Sequence, residues 1–141
     1  MIKVTYEELN QGILPGTVSR MVREGRFTPK VAYALMKVSK ALDRETENAR
    51  QIFQKLVQDN CELDAEGKVL AFPEENLAYK PRAEFKDAFD KAQAELLAIT
   101  FTIEVQPIPV EAIDKGCQLS PQEAMALKPL VLFGDEPLSA L

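Results

Sequence analysis

Residues 28–60 have the sequence TPKVAYALMKVSKALDRETENARQIFQKLVQDN, with the spacing of apolar side chains expected of one long helix. Thr28 is a suitable N-cap and Pro29 is favoured at the first helical position, so we expect the helix to run from Pro29 to about residue 59. Side chains spaced alternately four and three apart share one stripe that faces a partner helix. That stripe contains Val31, Leu35, Val38, Leu42, Glu45, Ala49, Ile52 and Leu56.

A second amphipathic segment, residues 81–99, supplies the partner stripe through Phe85, Phe89, Ala92 and Leu96. The two stripes predict an antiparallel helical hairpin packed in the manner of a coiled coil. Glu45 interrupts the first stripe, and we interpret Glu45, Arg50 and Glu95 as a polar seam that fixes register, not as a reacting pair of carboxylates.

Short strands are expected beside the hairpin. Ile2, Lys3 and Val4 alternate as a strand does, and residues 100–106 repeat that period, so segments 2–5 and 100–106 are predicted to pair. The turn residues Asp64 to Gly67 predict a small hairpin near 63–72 at the tip.

Two capping boxes predict short helices near the chain ends. Thr5 with Glu8 opens one after the first strand, and Ser120 with Glu123 opens another that continues through Leu127. Gly12, Pro15 and Gly16 interrupt the chain after the first of these helices. A further helix is expected over residues 17–24, with Gly25 as a left-handed C-cap.

These elements predict an α+β fold, mostly α, in a single domain of residues 1–141. Within it we distinguish an N-terminal strand and short helices (1–28), the helical hairpin (29–99), a strand and C-terminal helix (100–133) and a tail (134–141). Ala34, Ala41, Phe53 and Val57 widen the apolar stripe beyond what one partner helix covers. That extra surface predicts burial by the terminal helices or self-association as a homo-oligomer.

The composition argues against most catalytic mechanisms. The chain has 141 residues, 46% hydrophobic and 28% charged, with no histidine and no tryptophan, and it lacks the spacing of a phosphate-binding loop. Cys61 and Cys117 are far apart and have no metal-ligand spacing. We therefore expect a non-enzymatic protein with no cofactor and no metal. The absence of a long apolar stretch predicts no membrane span and an intracellular location.

Charge is distributed unevenly along the chain. The net charge is −5, but residues 1–58 carry ten Lys/Arg against six Asp/Glu (+4) and residues 59–141 carry seven against sixteen (−9). This polarity indicates either two solvated faces, or head-to-tail self-association, or a basic face for an anionic partner. The candidate side chains for partner or anion binding are Arg20, Arg23, Arg26 and Lys30.

One short segment resembles the recognition helix of repressor-type helix-turn-helix domains. It runs from Gly16 through Arg26. The resemblance implies that Thr17, Ser19 and Arg20 contact base edges, and that Arg23 and Arg26 contact phosphates.

A broader resemblance covers about 120 residues. It runs through Lys3–Leu9, Thr28–Leu35, Leu42–Leu56 with Glu45 and Arg50, Asp64–Gly67, Phe85–Leu97, Ile103–Pro109 and Leu119–Leu130. In order and spacing these segments resemble a family of small, mostly uncharacterised proteins of tailed bacteriophages and prophages. The resemblance implies a helical-hairpin fold and a phage setting, in the host cytoplasm or associated with the virion, and it brings no catalytic residues.

The leading hypothesis is thus a phage-encoded interaction protein, most simply a small oligomeric component of the virion or of its assembly. The first alternative is a DNA-binding regulator that uses residues 17–26. The second is a host-directed inhibitor or sequestering protein that binds an anionic host factor or nucleotide signal through its basic residues.

Overall fold

The computed structural model describes residues 1–133 and 136–137, with side chains described as far as Val131. The predicted fold class is confirmed, because the chain is mostly α-helical with a small antiparallel sheet and a short C-terminal helix. The tail prediction for residues 134–141 lies outside the described residues, except for Glu136–Pro137. None of the described helices is both long and apolar enough to cross a bilayer.

The chain divides into two compact units. The terminal unit comprises Met1–Thr46 with Ile99–Leu141, and the central unit comprises Glu47–Ala98. The single-domain interpretation made no such distinction. Each unit is described by itself below.

Helices of the terminal unit follow the capping signals in part. Helix α1 (Tyr6–Gln11) has the predicted capping box, in which the Glu8 backbone N–H donates to Thr5 Oγ1 at 3.1 Å and the Thr5 N–H donates to Glu8 Oε1 at 3.0 Å. Helix α2 (Ile13–Glu24) starts four residues before the predicted residue 17. Pro15 and Gly16 lie in its first turns, where proline sacrifices no helical hydrogen bond, so the predicted interruption is confined to Gly12.

The left-handed helix cap lies at Gly12 and not at Gly25. Gly12 has φ of 79° and ends α1 in the left-handed conformation, whereas Gly25 has φ of −70°. The left-handed cap predicted at Gly25 is therefore wrong. Helix α3 (Pro29–Asn60) begins at the predicted residue and contributes to both units.

Strands β1 (Ile2–Thr5) and β2 (Thr100–Ile103) pair antiparallel, with Ile2 opposite Ile103 and Thr5 opposite Thr100. The second strand ends three residues before the predicted boundary at 106. After it come β3 (Ile108–Pro109), α5 (Val110–Gly116), α6 (Pro121–Ala126), β4 (Val131–Phe133) and β5 (Glu136–Pro137). Strand β4 pairs parallel with β3 and antiparallel with β5, a sheet that the sequence did not predict.

The terminal unit has buried side chains from β1, α1, α2, the first half of α3, β2 and the C-terminal elements. The largest of these side chains are Ile2, Leu14, Met21, Leu35, Leu42, Leu127 and Leu130. The stripe predicted on α3 is confirmed here, since Leu35, Val38 and Leu42 are buried.

In the central unit the buried stripe of α3 lies one residue away from its predicted position. Ile52 is exposed, whereas Phe53, Leu56 and Val57 pack in a cluster with Cys61 and Phe89. A helix with 3.6 residues per turn drifts about 20° per heptad against a strict seven-residue repeat, so a stripe extrapolated over three heptads changes face. Phe53 and Val57 are therefore core residues and do not supply the extra surface that we expected.

Helix α4 (Lys86–Leu97) begins five residues after the predicted Pro81. Pro81 instead forms an antiparallel bridge with Cys61, and a 3-10 turn (Ala83–Phe85) precedes the helix. The chain between the helices forms the predicted turn at Asp64 to Gly67, where Leu63 pairs with Val69.

Candidate functional site

The link between α2 and α3 forms one wall of a surface pocket in the terminal unit. The Gly25 N–H donates to the Met21 carbonyl at 2.8 Å and ends α2, and the Arg26 N–H donates to the Gly116 carbonyl at the end of α5, also at 2.8 Å. These bonds fix the backbone on both sides of the link. Thr28 then caps α3, with its Oγ1 accepting from the Val31 N–H at 3.5 Å. Its carbonyl accepts the first helical hydrogen bond, from the Ala32 N–H at 2.9 Å.

Phe27 is held between two glycines. A Cβ atom added to Gly25 or to Gly116 would lie 2.1 Å from carbons of the Phe27 ring. Both positions thus need glycine because the ring packs directly on their backbone. The contacts with Gly25 and Gly116 hold the Phe27 ring in place as the aromatic wall of the pocket.

The pocket, here called the α2–α3 groove, has a volume of about 180 Å³. Its floor is apolar and buried, its outer edge is apolar and exposed, and one cation reaches it. The lining residues are Met21, Val22, Gly25, Arg26, Phe27, Ala32, Leu35 and Met36. Large apolar side chains remain exposed at its edge and beside it on α3, namely Val22 (40%), Met36 (47%) and Tyr33 (66%).

Cations occur on the same chain segments as these exposed apolar side chains. Arg23, Arg26 and Lys30 are exposed on α2, the link and the first turn of α3. Lys37 lies over the Tyr33 ring at 5.8 Å, a distance at which a cation is attracted to an aromatic face. Residues 20–40 carry six Lys/Arg and one carboxylate, Glu24. An apolar groove with a positive rim is suited to a ligand that is acidic and apolar.

Arg20, which we grouped with the other cations, is engaged within the unit. Its guanidinium donates to Glu123 Oε2 on α6, with Nη2 at 2.7 Å and Nε at 3.2 Å, and to the Gln118 carbonyl at 3.1 Å. The Ser120 backbone N–H and Arg20 together lower the pKa of Glu123, the backbone hydrogen bond having the larger effect. The structure thus places Arg26 at the groove, leaves Arg23 and Lys30 exposed on α2 and α3, and directs Arg20 to α6.

The helix-turn-helix residues have mixed surroundings. Thr17 is buried and Arg20 is engaged with Glu123, so two of the three side chains assigned to base edges are occupied inside the unit. Ser19, Arg23 and Arg26 are exposed.

The residues of the predicted polar seam have separate partners. Glu45, in the terminal unit, accepts a hydrogen bond from the Tyr6 hydroxyl at 2.7 Å and lies 3.6 Å from Arg44 Nε. Arg50, in the central unit, donates through Nε to Glu47 at 2.8 Å, and this pairing lowers the pKa of Glu47 to about 2. Glu95 is exposed on α4.

Sequence reasoning missed Tyr6, Phe27 and Glu123 as partners. Glu45 and Glu123 contact residues 39 and 103 positions away, and no local pattern encodes such pairs. A signal for the groove did exist, because Tyr33 and Met36 are large apolar residues that lie off the predicted stripe of α3. Within residues 1–133 and 136–137 no cluster of three or more metal-ligating side chains occurs.

Comparisons with known proteins add no relative to this description. No family model matches the chain, and neither curated proteins nor solved structures gave a significant match. The fold is α+β and mostly α, and its candidate site is an apolar groove lined by one arginine.

Proposed function

We propose that this chain is a non-enzymatic interaction protein that binds a protein segment through the α2–α3 groove. The observation that carries the proposal is an apolar pocket lined by Arg26, with Val22 and Met36 exposed at its edge and Tyr33 exposed on the same helix as Met36. Exposed apolar side chains beside a concave apolar floor are typical of protein-binding surfaces. The resemblance to phage proteins supports a role as a small virion or virion-assembly component, in the host cytoplasm or in the particle.

Site-specific photocrosslinking tests this proposal. A benzophenone amino acid is placed at Met36 in the full chain, and the chain is produced and irradiated in a bacterial host. The control carries the same group at Ile52, which lies on the same helix with a similar exposed fraction of 42%. We expect adducts with polypeptide, either this chain or another protein, from position 36 and not from position 52.

Adduct formation should also depend on the rim. An Arg26→Glu substitution reverses the cation that reaches the groove, so it should reduce the yield from position 36. Equal yields from both positions, or adducts only with nucleic acid at position 36, would contradict the proposal.

Duplex DNA binding is a second candidate function, favoured by the exposure of Arg23, Arg26, Lys30 and Lys37 on neighbouring elements. It predicts retardation of duplex DNA at low salt, a steep loss of affinity with added salt, and weaker binding by Arg23→Ala. No retardation at low salt rules it out. The same cations are the ones that a host-directed sequestering protein would use, and calorimetry with nucleotides tests that alternative.

A further inference from the structure

The connector between α3 and α4, residues 61–80, has the opposite charge to the groove rim. It carries five carboxylates against two lysines. The carboxylates are Glu62, Asp64, Glu66, Glu74 and Glu75. Leu70 and Leu77 are exposed in the same segment, at 38% and 42%. The connector is therefore acidic and apolar, which is the ligand chemistry that the groove suits.

The end of the connector is a closed loop. Phe72 and Leu77 exchange two backbone hydrogen bonds, Phe72 N–H to Leu77 O at 2.8 Å and Leu77 N–H to Phe72 O at 3.0 Å. Between them Pro73–Glu75 forms a 3-10 turn, and Asn76 closes it in the left-handed conformation, with φ of 58°. Glu75 is paired with Lys80 Nζ at 3.1 Å within this segment. Glu74 and Leu77 are thus presented on an ordered backbone, which reduces the entropy lost on binding.

The groove matches this loop in size as well as charge. A cavity of about 150 Å³ accommodates a benzene molecule, so a groove of about 180 Å³ accommodates one leucine side chain. Val22 and Met36 extend the apolar surface around such a side chain, and Arg26 lines the groove where a carboxylate flanking it would be paired. Lys30 is exposed on the first turn of α3, four residues along the chain from Arg26.

We propose that the groove of one copy binds the connector loop of a second copy, with Leu77 on the apolar floor and Glu74 facing Arg26. This inference rests on the proposed function, since it names the protein segment that the groove binds. The groove and the connector loop are different surfaces, so a pair of copies joined by one contact still has one unoccupied groove and one unoccupied connector. Further copies add until symmetry closes the assembly, or they continue as a filament.

Charge reversal tests the contact in the full chain. The groove variant is Arg26→Glu with Lys30→Glu, and the connector variant is Glu74→Lys with Glu75→Lys. Each variant alone faces like charges across the contact, and we expect its self-association, measured by light scattering over a range of concentrations, to weaken by about a hundredfold or more. Mixing the two variants restores opposite charges at both contacts, so association should return.

Matched controls change net charge equally at exposed positions on α4. They are Lys86→Glu with Lys91→Glu for the groove variant, and Asp87→Lys with Asp90→Lys for the connector variant. Both should associate as the wild type does, and wild-type association should fall with added salt. Circular dichroism of every variant confirms folding.

The inference is overturned if the wild type is a monomer at all concentrations, or if either charge-reversal variant associates normally, or if the mixture does not recover. A monomeric wild type that still gives polypeptide adducts from position 36 overturns the second copy as the ligand and keeps the proposed function. A monomeric wild type that also gives no polypeptide adducts from position 36 rejects both the inference and the proposed function.

Discussion

Arg20 on α2 binds Glu123 on α6, joining segments that lie 103 residues apart in the chain. The Arg20 Nη2 and Nε atoms lie 2.7 and 3.2 Å from the same carboxylate oxygen, Oε2. The other oxygen, Oε1, accepts the Ser120 backbone N–H at 3.0 Å and completes the capping box of α6. Glu123 therefore starts a helix and attaches it to another.

Glu123→Gln should lower the midpoint temperature of unfolding at pH 7, because it removes the charge that Arg20 pairs. The pKa of Glu123 is below its ordinary value of 4.5, so its ionised form contributes stability above pH 4.5, and this contribution is lost as the pH falls through the lowered value. The difference between wild type and variant should accordingly shrink in acid. Thermal melts at pH 7 and pH 3 measure it.

Glu104→Gln is the control for that experiment, since Glu104 is exposed and only its backbone carbonyl accepts from Lys37. It should leave the melting temperature nearly unchanged at both pH values. A difference for Glu123→Gln that does not shrink as the pH falls would contradict the ion pair as its cause.

Tyr6→Phe should destabilise the chain by about 1–2 kcal/mol, because the half-buried carboxylate of Glu45 loses a hydrogen-bond donor. Burial and the hydrogen bond to Glu45 raise the pKa of Tyr6 to about 12 from an ordinary 10.0. The bonded, neutral phenol thus contributes stability that is complete below pH 10 and is lost as the pH rises from 10 to 12. Absorbance titration should show one phenolate forming near pH 12, and Tyr6→Phe should abolish that step. Phenolate formation complete by pH 10.5 would refute the interaction.

Gly116→Ala should destabilise the chain by about 1–3 kcal/mol, because the added methyl meets the Phe27 ring. In a Phe27→Ala background the same substitution should cost much less, which a double-mutant cycle in urea measures. Gly16→Ala is the matched control, since nothing lies within 4 Å of its Cβ position inside α2. It should stabilise by about 0.5–1 kcal/mol. Equal effects of Gly116→Ala in both backgrounds would show that the ring is not the neighbour that matters.

Phe89→Ala should destabilise the central unit by about 3–5 kcal/mol, since Phe89 is buried with its ring centroid 5.9 Å from that of Tyr79 and 6.4 Å from that of Phe53. Ile52→Ala should cost far less because Ile52 is exposed. Urea unfolding of the two variants distinguishes the observed stripe of α3 from the predicted one. A larger cost at Ile52 would favour the prediction.

Local signals predicted the parts of the fold that depend on neighbours in sequence. The capping boxes at Thr5 and Ser120 and the start of α3 at Pro29 were all predicted, because the interacting groups lie within one helical turn. The pairing of β1 with β2 was predicted from alternation alone. Strand β3 and helix α5 were missed, since a two-residue strand that contains Pro109 has no period to recognise.

The candidate site was predicted only in its charge. Arg23, Arg26 and Lys30 were grouped from the sequence, but the aromatic wall of the pocket depends on Phe27 meeting Gly116 through the fold. The orientation of the Arg20 side chain likewise depends on its hydrogen bond to Glu123, which is 103 residues away in the sequence. Long-range contacts of this kind leave no periodic trace in a single sequence.

Hydrogen–deuterium exchange at two protein concentrations tests the central claim most directly. If the α2–α3 groove of one copy binds the connector of another, residues 21–36 and 70–77 gain protection together as the concentration rises, and both lose it with the groove charge-reversal variant. Protection that does not change with concentration in either segment, or that changes elsewhere and not in these two, would contradict the account.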